Sequence, residues 1–305
     1  MDVLKLDHVS KSFGSLDVIR DLSFAVPARS VFGFIGKNGA GKTTTMKMAL
    51  GFLKPSGGHI EVCGEKVVYG NTRTNRHIGY LPDVPEFYGY MRPKEYLALC
   101  GQICGLKPAQ IREKTQELLA LVGLEGMNRR IQGFSRGMKQ RLGIAQALLN
   151  EPRLLICDEP TSALDPVGRK EILDILSLIS GKTTIVFSTH ILSDVERICD
   201  TVGILDKGRL VLQDSMAQIR STYRQDSVRI EFFDPAHVLP LKDGLSGVPF
   251  ISAIDPGEKS VTVHLKNTAD QCPQLLALVS AQGVPIARYE VLEPTLEDVF
   301  LEVVE

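Results

Sequence analysis

Nowhere does the sequence approach the roughly 18 consecutive apolar residues that a membrane-spanning helix needs, and its start, Met1-Asp2-Val3-Leu4-Lys5, has no signal-peptide pattern. The chain is therefore expected to be soluble and cytosolic. It also lacks an excess of charge of either sign: 35 basic side chains stand against 36 acidic ones. No overall field then draws it to nucleic acid or to an anionic membrane, although local patches stay open. Six cysteines (63, 100, 104, 157, 199 and 272) are scattered without the CxxC pairs of a zinc site or the density of a disulfide scaffold, and are expected to be reduced thiols. Cys100 and Cys104, four apart on an expected helix, are read as buried on one face, and no metal site is assigned to cysteine. Internal repeats and low-complexity segments are absent. What is present, 44% apolar and 23% charged residues in a chain of 305, is the composition of an ordinary globular protein long enough for one large and one small domain.

The first 60 residues read as short strands and turns, then a glycine-rich loop, then a helix from near Thr43 to about Gly51. Val31-Phe32-Gly33-Phe34-Ile35 is an apolar run of the kind that parallel strands covered on both faces require. From about 92 to 150 the pattern is helical, with Ile111, Leu118, Leu119 and Val122 on one stripe and Gly123 as the stop. A further helix follows the N-cap candidate Ser135, carrying Met138, Leu142, Ala145 and Leu149. Two more apolar strands, Leu154 to Cys157 and Thr184 to Phe187, are separated by a helix with Ile172, Ile175, Leu176 and Ile179, which predicts a parallel α/β sheet. Gly203 to Leu212 predicts a hairpin with Lys207-Gly208 at or beside its turn, an antiparallel edge for that sheet. Beyond Ser221 the pattern changes to strands at 228–233, 261–265 and 286–291, a helix at 272–281 and a short terminal helix opened by Pro294. The expected domains are 1–220 and a small α+β domain at 221–305.

Gly36-Lys37-Asn38-Gly39-Ala40-Gly41-Lys42-Thr43 matches G-x-x-x-x-G-K-[ST], in which backbone N–H groups and a helix N-terminus close around phosphate oxygens. Lys42 is expected at the β- and γ-phosphates and Thr43 on Mg²⁺. At average residue usage a chance match in a chain this long is about one per cent. Asp158 and Glu159 end an apolar strand, where carboxylates are costly unless they serve an ion or a reaction. Asp158 is the candidate for the Mg²⁺ shell and Glu159 for the general base acting on water; an acid pair that merely caps a strand is the plainer alternative. His190 follows the apolar strand ending in Phe187-Ser188-Thr189 and should emerge at the same carboxyl edge, where ligand sites of open α/β sheets lie. It is assigned to the γ-phosphate.

Together these residues resemble the nucleotide-binding subunit of an ATP-binding cassette (ABC) transporter over roughly residues 3 to 215. The resemblance includes Phe13, where the family stacks an aromatic ring on adenine; Phe134-Ser135-Arg136-Gly137-Met138-Lys139-Gln140-Arg141, at the family's signature; and Ser162-Ala163-Leu164-Asp165. It implies a P-loop cassette of mixed α/β sheet with an antiparallel edge and a helical subdomain at about 92–150, followed by the small C-terminal domain. It implies ATP and Mg²⁺ as ligands, with Phe13, the phosphate loop through Thr44, Ser135, Gly137 and Asp165 around the nucleotide. It further implies a head-to-tail homodimer, in which Ser135 and Gly137 of one copy approach the γ-phosphate held by Lys42 of the other.

Two positions depart from the family pattern. Arg136 replaces the first of two adjacent signature glycines, and Asp83, in Gly79-Tyr80-Leu81-Pro82-Asp83, replaces a glutamine that reads γ-phosphate and Mg²⁺. Asp83 is counted as a metal ligand, at the cost of added negative charge near ATP. Phe87, Tyr88 and Tyr90 follow it, either beside the groove that in the family receives a helix of the membrane subunit or packed on the protein's own helices. Pro294 to Phe300 resembles the tail of exporter-type members whose permease is a separate chain. The leading expectation is an ATPase that drives a separate transmembrane permease, for export, from the cytoplasmic face of the membrane, with no nucleic acid partner. The alternative is a soluble cassette ATPase acting on ribosomes or DNA; a module that hardly hydrolyses is disfavoured by Glu159 and His190.

Overall fold

The computed structural model describes residues 2–223 and 226–304, and the chain forms two compact units, Met1–Met216 with Phe300–Glu305, and Ala217–Val299. The first opens with β1 (Asp2–Phe13) and β2 (Leu16–Pro27), then β3 (Val31–Ile35), α1 (Lys42–Ala49), β4 (Gly57–Val62), β5 (Glu65–Lys66) and β6 (Ile78–Leu81). Next come α2 (Pro93–Ile103), α3 (Pro108–Leu121) and α4 (Arg136–Leu148). The alternation β7 (Leu154–Asp158), α5 (Pro166–Ile179), β8 (Thr184–Thr189), α6 (Leu192–Ile198) leads into the hairpin β9 (Thr201–Asp206) and β10 (Arg209–Ser215). Residue 220, the boundary expected from sequence, lies inside α7 (Met216–Thr222).

The central sheet has the order β10-β9-β3-β8-β7-β6, parallel except for β10. Every residue of β3, β7 and β8 is buried, which is why these strands read as unbroken apolar runs rather than alternations. The antiparallel edge turns at Lys207-Gly208, both at positive φ (45° and 79°), the backbone that a two-residue hairpin turn demands. A second sheet, β2-β1-β4-β5, is antiparallel. Phe24 of β2 stacks on Phe32 of β3 at 5.3 Å between ring centroids, joining the two sheets through one core.

Local chemistry sets the helix starts. Proline occupies the first turn of α2, α3 and α5, where its missing N–H costs nothing. Glu95 and Gln110 reach back to the N–H groups of Arg92 and Lys107, the reciprocal half of a capping box. Ser135 and Asp165 cap α4 and α5 by accepting from the N–H groups of Met138 and Gly168. The six cysteines are free thiols. Cys104 is the C-cap of α2 and exposed while Cys100 is half-buried, so the expected burial of both on one face fails because the helix ends between them.

The second unit contains β11 (Ser227–Phe232), α8 (Val238–Leu245), β12 (Ile251–Pro256), β13 (Ser260–Leu265), α9 (Thr268–Ala281) and β14 (Ile286–Leu292); α10 (Leu296–Val303) follows. Its antiparallel sheet runs β12-β13-β11-β14. Val228, Ile230 and Phe232 of β11 bury against Leu241 and Leu245 of α8 and Leu275 and Val279 of α9.

Candidate functional site

The parallel strands deliver the site. Each ends at the same edge of the sheet, β3 running into the phosphate loop, β7 into Asp158-Glu159 and β8 into His190. Gly41 holds φ at 111°, and a Cβ there would lie 2.4 Å from Ile19 Cδ1, so only glycine lets the loop pass β2 and enter α1. At Gly36 a Cβ would lie 2.5 Å from the Leu205 carbonyl oxygen. Lys37, Asn38 and Gly39 at the crest are exposed, while Ala40, Gly41 and Lys42 are buried; Thr43 is exposed and Thr44 half-buried.

Lys42 is only 6% exposed, and its Nζ donates to Gly36 O at 2.7 Å and Lys37 O at 3.4 Å and lies 3.3 Å from Glu159 Oε1. The other oxygen of Glu159 is 2.8 Å from His190 Nδ1. Glu159 sits at φ 49°, a backbone region sparsely used by residues with a side chain, and its N–H donates to Ser188 O at 3.0 Å. That turn aims its carboxylate at both Lys42 and His190. Beside it, Asp158 accepts from the Thr43 hydroxyl at 2.8 Å and, on its other oxygen, from the Ser188 hydroxyl at 2.6 Å. Thr43 and Asp158 thus converge as two hard oxygen donors of the type Mg²⁺ takes alongside substrate phosphates. Among the described residues no group of three or more His, Cys, Asp or Glu is arranged to hold a metal ion.

Phe13 is 48% exposed, with Lys11 Nζ 4.8 Å from its ring centroid. It pairs with Leu16 at the end of the β1–β2 hairpin. Ser135 and Arg136 are exposed at the head of α4, Gly137 is half-buried near Leu164, and Asp165 is exposed at the head of α5. Asp83 Oδ1 accepts from Arg136 Nη2 at 3.0 Å. Tyr88 and Tyr90 are exposed, yet Tyr88 meets Tyr96 of α2 edge-on at 6.4 Å and Phe87 packs edge-on against the same ring at 5.1 Å, so the aromatic loop rests on the protein's own helix while two of its rings face solvent. The Tyr80 phenol, next to this loop, is pushed up to about 12 by burial, with the charges of Asp158 and Asp83 adding to the shift.

Sequence reasoning missed several residues here. Ser188 is fully buried and bonded to Asp158; a hydroxyl inside an otherwise apolar strand was the available signal. Asp194 of α6, 1% exposed, accepts from Thr161 at 2.7 Å and from Arg169 Nε at 2.5 Å, tying the helix after His190 to the segment after Glu159. Gln140 of α4, also fully buried, donates to the Asp83 main-chain oxygen at 2.5 Å.

Residues 19–162 match the ABC transporter family model, and residues 215–304 match the model described as the C-terminal domain of DrrA1-3-like ATP-binding proteins. The uncharacterized ABC transporter ATP-binding protein YxlF of Bacillus subtilis is 37% identical, with 99% of each chain covered. The bacitracin transport ATP-binding protein BcrA of Bacillus licheniformis is 33% identical over 99% of this chain and 97% of its own. The Nod factor export ATP-binding protein I of Cupriavidus metallidurans is 34% identical over 98% and 96%. A solved ATP-binding subunit of an ABC transporter, 34% identical, superposes over 72% of this chain and 93% of its own with a TM-score of 0.65. The chain belongs to the ABC transporter family, as one of its ATP-binding, ATP-hydrolysing subunits.

Proposed function

We propose that this chain binds MgATP at the edge formed by the phosphate loop, Asp158, Glu159 and His190, and that two copies hydrolyse it head to tail to drive a separate transmembrane permease in export. The observation that carries the reading is the unbroken chain of contacts Lys42–Glu159–His190, at 3.3 and 2.8 Å, alongside the Thr43–Asp158 contact at 2.8 Å. Lys42 exchanges its Gly36 and Glu159 contacts for β- and γ-phosphate oxygens. Released from the lysine, the Glu159 carboxylate accepts a proton from water as that water attacks the γ-phosphorus and ADP leaves. His190 keeps Glu159 oriented through Nδ1 and presents Nε2 to the γ-phosphate. Thr43 and Asp158 would hold Mg²⁺, which neutralises charge developing on the phosphate oxygens. Phe13 stacks on adenine, the loop residues from Gly36 to Thr44 enclose the phosphates, and Ser135, Gly137 and Asp165 of the second copy close the site.

No helix among the described residues is long and apolar enough to cross a membrane, so a transport role requires a partner that does. The transport and export names of relatives aligned along nearly the whole chain favour this reading over a ribosome- or DNA-directed ATPase, and favour a place on the cytoplasmic face of the membrane. Affinity purification from solubilised membranes should recover a polytopic partner; recovery of ribosomes or DNA in its place would refute the transport assignment. Independently, Lys42→Ala should abolish measurable ATP binding in calorimetry, and unchanged affinity would refute the phosphate-loop assignment.

A further inference from the structure

The two positions at which the chain departs from its family's pattern are bonded to each other. Asp83 and Arg136 lie 53 residues apart in sequence, yet Arg136 Nη2 sits 3.0 Å from Asp83 Oδ1. Gln140, one turn further along the same face of α4, donates to the Asp83 carbonyl at 2.5 Å. The loop residue is therefore gripped at its side chain and at its main chain by a single helix face. The Gln140 side chain that makes this contact is fully buried.

Asp83 follows β6, whose Leu81 is paired with Cys157 immediately before Asp158, which sets the extra carboxylate on the phosphate side of the sheet. A negative charge there opposes polyphosphate unless a cation offsets it. The Arg136 guanidinium, 3.0 Å away, is placed to supply that offset.

We propose that Asp83 and Arg136 act as one compensated pair: Arg136 is a positioning residue that neutralises Asp83 and fastens the loop after β6 to the head of α4, and Asp83 is not a metal ligand. This deepens the proposed function and rests on it, because the head of α4 is the part that reading assigns to the second copy's nucleotide. The pair then links the loop beside one ATP to the helix that closes over the other. Both side chains are partly exposed, 40% and 46%, so the effect is modest and screened by salt.

The test is a double-mutant cycle of Asp83→Asn and Arg136→Gln in a Glu159→Gln background that retains ATP. MgATP affinity is read with a fluorescent nucleotide at protein concentrations too low for dimerisation, and ATP-driven dimerisation is read by light scattering. Arg136→Gln should weaken MgATP binding about two- to five-fold when Asp83 is present, less at high salt, and change it by less than about 1.5-fold when residue 83 is Asn. Mn²⁺ affinity in the presence of ATP, followed by paramagnetic resonance, should be the same with Asp83→Asn as without it. Equal effects of Arg136→Gln in both backgrounds would overturn the pair and make Arg136 a direct phosphate contact. A tenfold loss of Mn²⁺ affinity in Asp83→Asn would overturn it in favour of a metal ligand. A parent that binds MgATP but never dimerises would overturn the shared-site reading and with it the link between sites, a result distinct from a dimerising parent with an additive cycle.

Discussion

Arg169→Leu tests how the helix after His190 is held. Asp194 is 1% exposed, and its two oxygens accept from Arg169 Nε at 2.5 Å and from the buried Thr161 hydroxyl at 2.7 Å. Removing the cation leaves an uncompensated buried carboxylate, which costs about 3–5 kcal/mol where both partners are buried. The Arg169 side chain is 31% exposed, so solvent already offsets part of the pair and the expected loss falls to about 2–3 kcal/mol. For the first compact unit, which holds this pair, that is a fall in Tm of about 4–12 °C. The chain has no tryptophan, so urea unfolding is best followed by far-ultraviolet circular dichroism. The informative comparison is the triple variant Thr161→Val, Arg169→Leu, Asp194→Leu. It removes the charge pair and the hydroxyl together and should lie within about 1 kcal/mol of the parent, because apolar replacement of a whole buried network costs little. A single variant that loses less than about 0.5 kcal/mol, or a triple variant as unstable as the single, would refute the reasoning.

Ser188→Ala removes the hydroxyl that holds Asp158 at 2.6 Å; a hydrogen bond to a charged group is worth about 1.5–3 kcal/mol, so turnover should fall roughly ten-fold or more while ATP affinity changes little. Steady-state kinetics with a nucleotide titration separates the two. The raised Tyr80 pKa means its phenol is neutral in both folded and unfolded chains below pH 10, while between pH 10 and about 12 only the unfolded chain ionises. Folding stability should decline over that window, and Tyr80→Phe should remove both part of that decline and an absorbance step near pH 12.

Why some of this was legible and some was not follows from where the information lies. The phosphate loop, Asp158-Glu159 and His190 were readable because buried parallel strands leave unmistakable apolar runs, and chemistry gathers where those runs stop. β6 (Ile78–Leu81) escaped notice since four residues of alternating burial, one of them glycine, give too short a pattern. β12 escaped because its side chains are half-buried or exposed, leaving no apolar stripe, and α8 because eight residues between loops show little more than two turns. The Asp83–Arg136 and Arg169–Asp194 pairs could not be read at all: each joins segments that only the tertiary fold brings together. Asp83 illustrates the consequence: its place in the motif suggests a metal ligand, while its contact with Arg136 is visible only in the fold.

The central claim is that Glu159 activates water in a site completed by a second copy of the chain. Sedimentation of Glu159→Gln with MgATP, paired with a turnover assay, tests it most directly. The account predicts an ATP-bound dimer, a monomer with ADP, and turnover at least about 10²-fold below the parent. Full turnover, or saturated MgATP binding by a species that stays monomeric, would contradict it.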